Sequence, residues 1–114
     1  MKRNEFLKAA RESVRLEPVE TPIGVVFVRS MPAGKRDEFE QMAAFANRDK
    51  TPVKNVRAFA VIACACNETG EKIFGDSDAA ELSELPTEVL DPIFNKALEL
   101  SGLSPDALED AKKN

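Results

Sequence analysis

Residues 70–104 read GEKIFGDSDAAELSELPTEVLDPIFNKALELSGLS, and the order of signals in this stretch decides the fold that we predict. Asp76 is placed to cap a short helix, and Pro86-Thr87 opens a second helix. Gly102 is a natural end for the second helix, because glycine adopts the left-handed conformation at no steric cost. The stretch therefore predicts two consecutive amphipathic helices.

The second of these helices has a clear apolar side. Its apolar residues recur every three or four positions, which predicts one face packed on a core. Pro92 falls inside the pattern, so we expect a kink or a late start there. The predicted core-facing residues are Val89 or Leu90, Ile93, Phe94, Ala97, Leu98 and Leu100.

Four large apolar residues in this region are more than a short helix needs for its own anchoring. They are Phe74, Leu90, Phe94 and Leu98. For any one of them, burial in the core is the simpler interpretation. Together they favour a helix-in-groove contact with another protein, and we take them as candidate partner-binding residues.

A change of hydrophobic period marks residues 15–30 as a β-hairpin. Residues 21–24 read TPIG, with Pro at the second and Gly at the fourth position of a type I turn. The β-branched run at residues 25–28 predicts the second strand. Pro18 predicts that the first strand lies at a sheet edge, because proline lacks the N–H that a central strand needs. Such a hairpin must also pack on helices or meet another strand.

Other helices are predicted on both sides of the hairpin. Residues 4–14 fit a short N-terminal helix, and residues 33–48 fit a longer amphipathic one. Thr51-Pro52 is a good start for a central apolar helix through Cys66, with a buried strand over residues 58–65 as the alternative.

These patterns predict an α+β fold in which an N-terminal β-hairpin is followed by a mainly helical bundle of four or five short helices. The chain has 114 residues, a usual length for one domain. We therefore expect a single domain over residues 1–114. Within it, residues 1–14 are a mobile N-terminal helix, 15–30 the hairpin, 31–104 the helical part and 105–114 a short helix with a loose tail.

The composition argues against an enzyme or a metalloprotein. The chain contains no His, which is the commonest general base and metal ligand. Cys64 and Cys66 are too few for a zinc site, and we expect buried, reduced thiols there. We therefore predict no catalytic residue, no cofactor and no metal. A Ser–Lys dyad or a pair of carboxylates remains the open enzymatic alternative.

The Asp76-Ser77-Asp78 sequence permits two interpretations. A calcium-binding loop would need a further oxygen ligand and a glycine where Ala79 and Ala80 follow. A helix N-cap needs only a short polar side chain before an apolar helix. We predict the N-cap.

Charge is distributed unevenly along the chain. Residues 1–57 carry 12 Lys and Arg against 8 Asp and Glu, whereas residues 58–114 carry 4 against 12. Such asymmetry can bring a basic and an acidic surface together within the fold, between copies or with a partner, although two solvated faces explain it equally well. The pI of about 4.9 and the absence of Tyr and Trp argue against nucleic-acid binding.

Targeting signals are not visible in the sequence. The first residues, MKRNE, lead into a charged segment, unlike a secretory signal. The longest apolar run, residues 58–66, is too short to cross a bilayer. We expect a cytoplasmic protein that makes no contact with membranes.

The order of these elements resembles a known family. After the hairpin, a helix with Phe and Met and then an apolar helix, the chain continues NETGEKIFGDSD at residues 67–78 and ends its main helix ALELSGLS at residues 97–104. Over residues 15–104 this resembles the tail assembly chaperones of long-tailed bacteriophages and prophages. Members tend to have an acidic DEDGKxxF turn and a Leu-Ser-Gly or Leu-Asn-Gly stop. Here Asn67 replaces an acidic residue, and Glu71 adds one residue before Lys72.

The resemblance implies a non-enzymatic protein that acts in the cytoplasm of a bacterial host. Such chaperones bind and solubilise the tape measure protein during tail tube assembly. The implied partners are the tape measure protein, the major tail protein and further copies of the chain itself. The alternative is a structural connector at the head–tail junction, or another small phage adaptor, which would stay in the finished particle.

Overall fold

The computed structural model describes residues 1–49 and 55–103, which form five α-helices and a three-stranded antiparallel sheet. The predicted α+β class, with an N-terminal hairpin followed by helices, is confirmed. In chain order the elements are α1 (Arg3–Glu12), β1 (Leu16–Thr21), β2 (Gly24–Arg29), α2 (Ala33–Asp49), α3 (Val56–Cys64), β3 (Ala65–Cys66), a 3₁₀ turn (Asp76–Asp78), α4 (Ala79–Ser83) and α5 (Thr87–Leu100).

The hairpin turn forms as the sequence predicts. β1 and β2 pair so that Thr21 faces Gly24 across a two-residue turn. Among the described residues other than glycine, Asn55 alone has a positive φ, so Ile23 has the negative φ of a type I turn. Gly24 takes φ +126°, which a residue with a Cβ rarely adopts. The Thr21 hydroxyl closes the turn by donating to the Gly24 carbonyl oxygen at 2.7 Å.

Pro18 lies on the free edge of the sheet, as predicted. The strand order is β1-β2-β3, so β1 is an edge strand. The Ser30 N–H donates to the Arg15 carbonyl oxygen, and in this register the odd-numbered residues of β1 exchange hydrogen bonds with β2. The nitrogen of Pro18 therefore faces away from β2, at a place where the edge has no N–H to offer.

The third strand corrects the predicted central helix. Ala65 and Cys66 pair with Val28 and Phe27, so the helix that we predicted through Cys66 ends at Cys64. The helical prediction is wrong for these two residues, and the alternative of a strand over residues 58–65 is wrong for all of them except Ala65. The second edge of β2 carries backbone groups that need hydrogen-bond partners, and this non-local need outweighs the local preference of alanine for helix.

Of the two alternatives predicted for Pro92, a kink or a late start, the late start is wrong, because α5 begins at Thr87, and the kink stays a prediction. Pro92 lies in the second turn of the helix, where its missing N–H removes one hydrogen bond, to the carbonyl of Glu88, while the surrounding residues continue the helix. The predicted stop is confirmed. Gly102 has φ +72°, and the Leu103 N–H donates to the Leu98 carbonyl oxygen at 2.8 Å, which is the bond that defines a Schellman motif.

α3 and α5 form the centre of the core. The largest fully buried side chains are those of Val28, Val61, Cys64 and Leu98, from β2, α3 and α5. α5 packs on α3 and on the inner face of the hairpin. An ion pair between Arg57 of α3 and Asp91 of α5 adds a polar link between the two helices. The hairpin therefore gains the packing that it needs for stability.

The N-terminal helix forms but contributes nothing to the core. α1 is described over its whole length, and none of its residues is buried. Its predicted mobility stays a prediction. The predicted start at Thr51-Pro52 and the helix predicted from Ser104 lie outside the described residues. In the part of the chain that the structure describes, no helix has both the length and the apolar character needed to cross a membrane.

Candidate partner-binding groove

The structure separates the four candidate partner-binding residues. Leu90, Phe94 and Leu98 lie in the core, with 4%, 5% and 0% of their surface exposed. Phe74 is half-buried and packs against the edge of the core. Their part in binding stays a prediction, but the three residues of α5 present almost no surface to a partner in this fold.

A groove on another side of the molecule offers a better binding surface. It lies between α2, α3 and the start of α4, and its volume is about 310 Å³. It is lined by Lys35, Glu38, Met42, Asn55, Phe59, Ile62, Asp76 and Ala79. We call it the α2–α3 groove.

Helix periodicity places these side chains in the groove. Asn55, Phe59 and Ile62 recur every three or four residues, so one side of α3 forms the floor. Phe59 is half-buried, and Ala79 at the start of α4 closes the far wall. Apolar atoms therefore line the bottom of the groove.

The near wall of the groove comes from α2. Lys35, Glu38 and Met42 again follow helical spacing. Phe45 lies one turn beyond Met42 on the same side of the helix and is 56% exposed. The guanidinium of Arg48 lies 5.0 Å from the centre of the Phe45 ring. Phe45 thus extends the apolar wall past the end of the groove.

Charged groups surround this apolar floor. The Lys35 ammonium lies 3.2 Å from a Glu38 carboxylate oxygen and 5.6 Å from the centre of the Phe59 ring. Asp76 stands exposed on the opposite wall. An apolar centre with a polar rim is the usual anatomy of a protein–protein contact.

The start of α3 depends on an uncommon backbone conformation. Asn55 precedes the helix with φ +57°, in the left-handed region that asparagine tolerates better than most residues. The Ser83 hydroxyl lies 2.9 Å from the Asn55 side-chain oxygen, which ties α4 to the start of α3. This hydrogen bond joins the floor of the groove to its far wall.

The acidic sequence at the start of the 3₁₀ turn acts as a cap. The Gly75 N–H donates to a carboxylate oxygen of Asp78 at 2.8 Å, so Asp78 makes the capping hydrogen bond, and Asp76, which we predicted as the cap, is the first residue of the turn. The described residues contain no group of three or more His, Cys, Asp or Glu that could hold a metal ion.

The two cysteines are buried thiols, as predicted. Burial raises the pKa of Cys64 from 9.0 to about 12 and also raises the pKa of Cys66, while the nearby Arg29 opposes both shifts. Arg29 is held in place by the carbonyl oxygen of Gly70, 3.1 Å away. At neutral pH both thiols are protonated, and a protonated thiol is a poor nucleophile.

The groove does not follow from the sequence patterns alone. Met42, Phe59 and Ile62 all fit the apolar sides of their helices, which predicts them in the core. Phe45 carries the one usable signal, because it widens the apolar arc of α2 beyond what a single buried stripe requires. Whether such a residue meets the core or solvent depends on how the helices are arranged.

Comparisons with known proteins found no match among family models, curated proteins or solved structures. The function is therefore inferred from the surface of this chain and from the order of its sequence signals.

Proposed function

We propose that this protein is a phage tail assembly chaperone that holds a helical segment of the tape measure protein in the α2–α3 groove. The role is non-enzymatic, and the complex keeps its client soluble until the tail tube assembles. The observation that carries the proposal is an apolar groove between two helices, extended by the exposed ring of Phe45.

The geometry of the groove suits an amphipathic helix. The lining from Asn55 to Ile62 extends over seven residues of α3, roughly 10 Å at 1.5 Å per residue. Such a length accommodates two successive turns of an incoming helix, whose anchors repeat at three or four residues. Phe59 and Met42 are half-buried, so a client side chain would cover the part of their apolar surface that now faces water.

An acidic segment next to the groove supports the solubilising role. Residues 67–88 contain seven Asp or Glu and one Lys, and six of these acidic side chains are exposed. A net charge of this kind limits self-precipitation of a complex that contains an apolar client. The same charge favours client helices that carry Lys or Arg beside their apolar side.

Co-expression with the tape measure protein encoded in the same gene neighbourhood tests the proposal. The wild-type chain should raise the soluble fraction of that protein and be recovered with it. Phe45→Glu should lose most of both effects, because it places a charge on the apolar wall. Val25→Glu is the matched control, since Val25 is 59% exposed on the sheet and lies outside the groove.

Two outcomes would contradict the proposal. In one, the tape measure protein is equally soluble without this chain and no complex is recovered. In the other, mass spectrometry finds the chain as a stoichiometric component of purified particles, as a head–tail connector would be. Circular dichroism of both Glu variants checks that a negative result does not come from unfolding.

A further inference from the structure

α1 is a formed helix with no core of its own. It has ten residues, and none of them is buried. A helix of this length is marginally stable in water unless one side is covered. Phe6 is 60% exposed, which is unusual for an aromatic side chain on a helix with a clear apolar side. A surface that covers α1 would stabilise both the helix and the ring.

One side of α1 combines apolar and basic groups. Phe6 and Ala10 are four residues apart and lie on the same side, next to Leu7. Arg3 and Arg11 lie along this same side. The helix thus presents an apolar stripe with one guanidinium in line with it, one turn before Phe6 and Leu7, and another along its Leu7 edge.

The remaining charges of α1 lie on the opposite side. Glu5 and Glu12 are both about half a turn away from the stripe, and Lys8 is also outside it. The charges nearest the stripe are therefore positive, although the helix as a whole carries both signs.

We infer that α1 of a second copy of this chain docks in the α2–α3 groove, so that two chains associate by exchanging their N-terminal helices. The groove offers an apolar floor at Phe59, and the exposed carboxylate of Asp76 on its far wall can pair with a guanidinium of α1, whereas Glu38 on the near wall is already paired with Lys35. This charge complementarity sets which side of α1 faces inward. A reciprocal exchange closes into a two-fold dimer and leaves neither groove open.

We take a second copy of the chain as the occupant of the α2–α3 groove, because α1 does not fill the groove of its own chain. Phe6 remains mostly exposed, and Phe59 and Met42 are only half-buried in the same structure. Each chain therefore has one unfilled groove and one amphipathic helix whose largest side chain, Phe6, is exposed, although Leu7 beside it is half-buried. Exchange of α1 between two copies would fill the groove and cover the exposed side of the helix at the same time.

The dimer would also regulate client binding. α1 has the chemistry proposed for the client helix, apolar anchors with flanking basic groups, so the two compete for one groove. This competition rests on the proposed function, whereas the self-association does not require any client.

Sedimentation velocity of the full chain without a client tests the self-association. The wild type should form a concentration-dependent dimer that weakens as salt rises, because salt screens the charge pairs. Phe6→Glu should weaken the dimer at least tenfold. Ile23→Glu is the matched control, because Ile23 is 74% exposed at the hairpin tip and lies outside both surfaces. A wild type that stays monomeric at all concentrations, or a dimer unchanged by Phe6→Glu, overturns the inference.

Charge-reversal substitutions on α1 and in the groove test whether the groove is the docking site. Arg11→Glu and Asp76→Lys should each weaken the dimer when studied alone, and Lys8→Glu should not, because Lys8 lies outside the stripe. Mixing the Arg11→Glu chain with the Asp76→Lys chain should restore a heterodimer, since both of its interfaces again join opposite charges. Restoration cannot come from unfolded variants. Failure to restore association overturns the groove as the site.

Client capture by the Phe6→Glu chain separates this inference from the proposed function. If the inference holds, this variant captures the tape measure protein at least as well as the wild type, because its groove is open. If the wild-type protein remains monomeric and still captures the client, the inference about the dimer is contradicted and the proposed chaperone function stands. If the charge-reversal variants behave as expected but the protein captures no client, the inference about the dimer stands and the proposed chaperone function is contradicted.

Discussion

At the scale of single residues, Cys64 shows how burial controls chemistry. Its side chain is fully buried at the end of α3, and this burial raises its pKa to about 12. In the unfolded chain the thiol has its ordinary pKa of 9.0. Between these two values the unfolded state loses its proton while the folded state keeps it, so rising pH favours unfolding.

Cys64→Ala should therefore flatten the alkaline loss of stability. The contribution of Cys64 is fully present below pH 9 and falls by about 1.4 kcal/mol for each pH unit above it. Urea unfolding followed by circular dichroism, with reducing agent present, would measure the free energy of unfolding of both proteins from pH 7 to pH 11. Curves that remain parallel over this range would show that the thiol titrates normally in the folded protein.

At the scale of elements, glycine has opposite effects on stability at two helix ends. Gly102 follows α5 with φ +72° and carries the bond pattern that closes the helix. Gly34 lies in the first turn of α2, and an added Cβ would meet nothing within 4 Å. The conformation, and not the available space, distinguishes the two positions, because a Cβ at Gly102 would approach only the end of the Arg36 side chain, at 3.7 Å.

The same substitution should thus change stability in opposite directions. Gly102→Ala should lower the free energy of unfolding by about 1 kcal/mol, because alanine is strained in the left-handed region. Gly34→Ala should raise it by up to about 1 kcal/mol, because alanine restricts the unfolded chain more than glycine does. Thermal and urea unfolding of the two variants beside the wild type would measure both changes. Equal effects of the same sign would contradict this assignment of the two helix ends.

The elements also show what sequence could and could not predict. The 3.6-residue period found α2, most of α3 and α5, because each pattern lies within its own helix. The turn residues found the hairpin for the same reason. β3 was missed because its pairing partner lies almost forty residues away, and two residues carry no period. The groove was missed because it exists only once three helices have been placed beside one another.

At the scale of the whole molecule, the core distinguishes apolar residues that the sequence treats alike. Leu85 and Leu98 both lie within the amphipathic stretch at residues 70–104. Leu98 of α5 is fully buried, whereas Leu85 is 45% exposed. The sequence pattern alone ranks the two leucines as equals, because both are large apolar residues of the same stretch.

Truncation of these two leucines should give very different results. Leu98→Ala should lower the free energy of unfolding by about 2–5 kcal/mol, because it removes buried atoms and leaves a cavity. Leu85→Ala should change it by less than about 0.5 kcal/mol, as expected away from the core. Urea denaturation gives both values. A small effect of Leu98→Ala would make that residue a binding candidate again.

The direct connection of α3 to β3 has a consequence for local unfolding of the native state. Cys64 ends the helix and Ala65 begins the strand, so no connecting residue separates the central helix from the sheet. Because the two elements are adjacent in the chain, separation of β3 from β2 should disturb the last turn of α3. Unwinding of that turn should in turn expose the edge of β2. Hydrogen exchange should therefore find the amides of β2 and α3 opening together, as one cooperative unit of the native state.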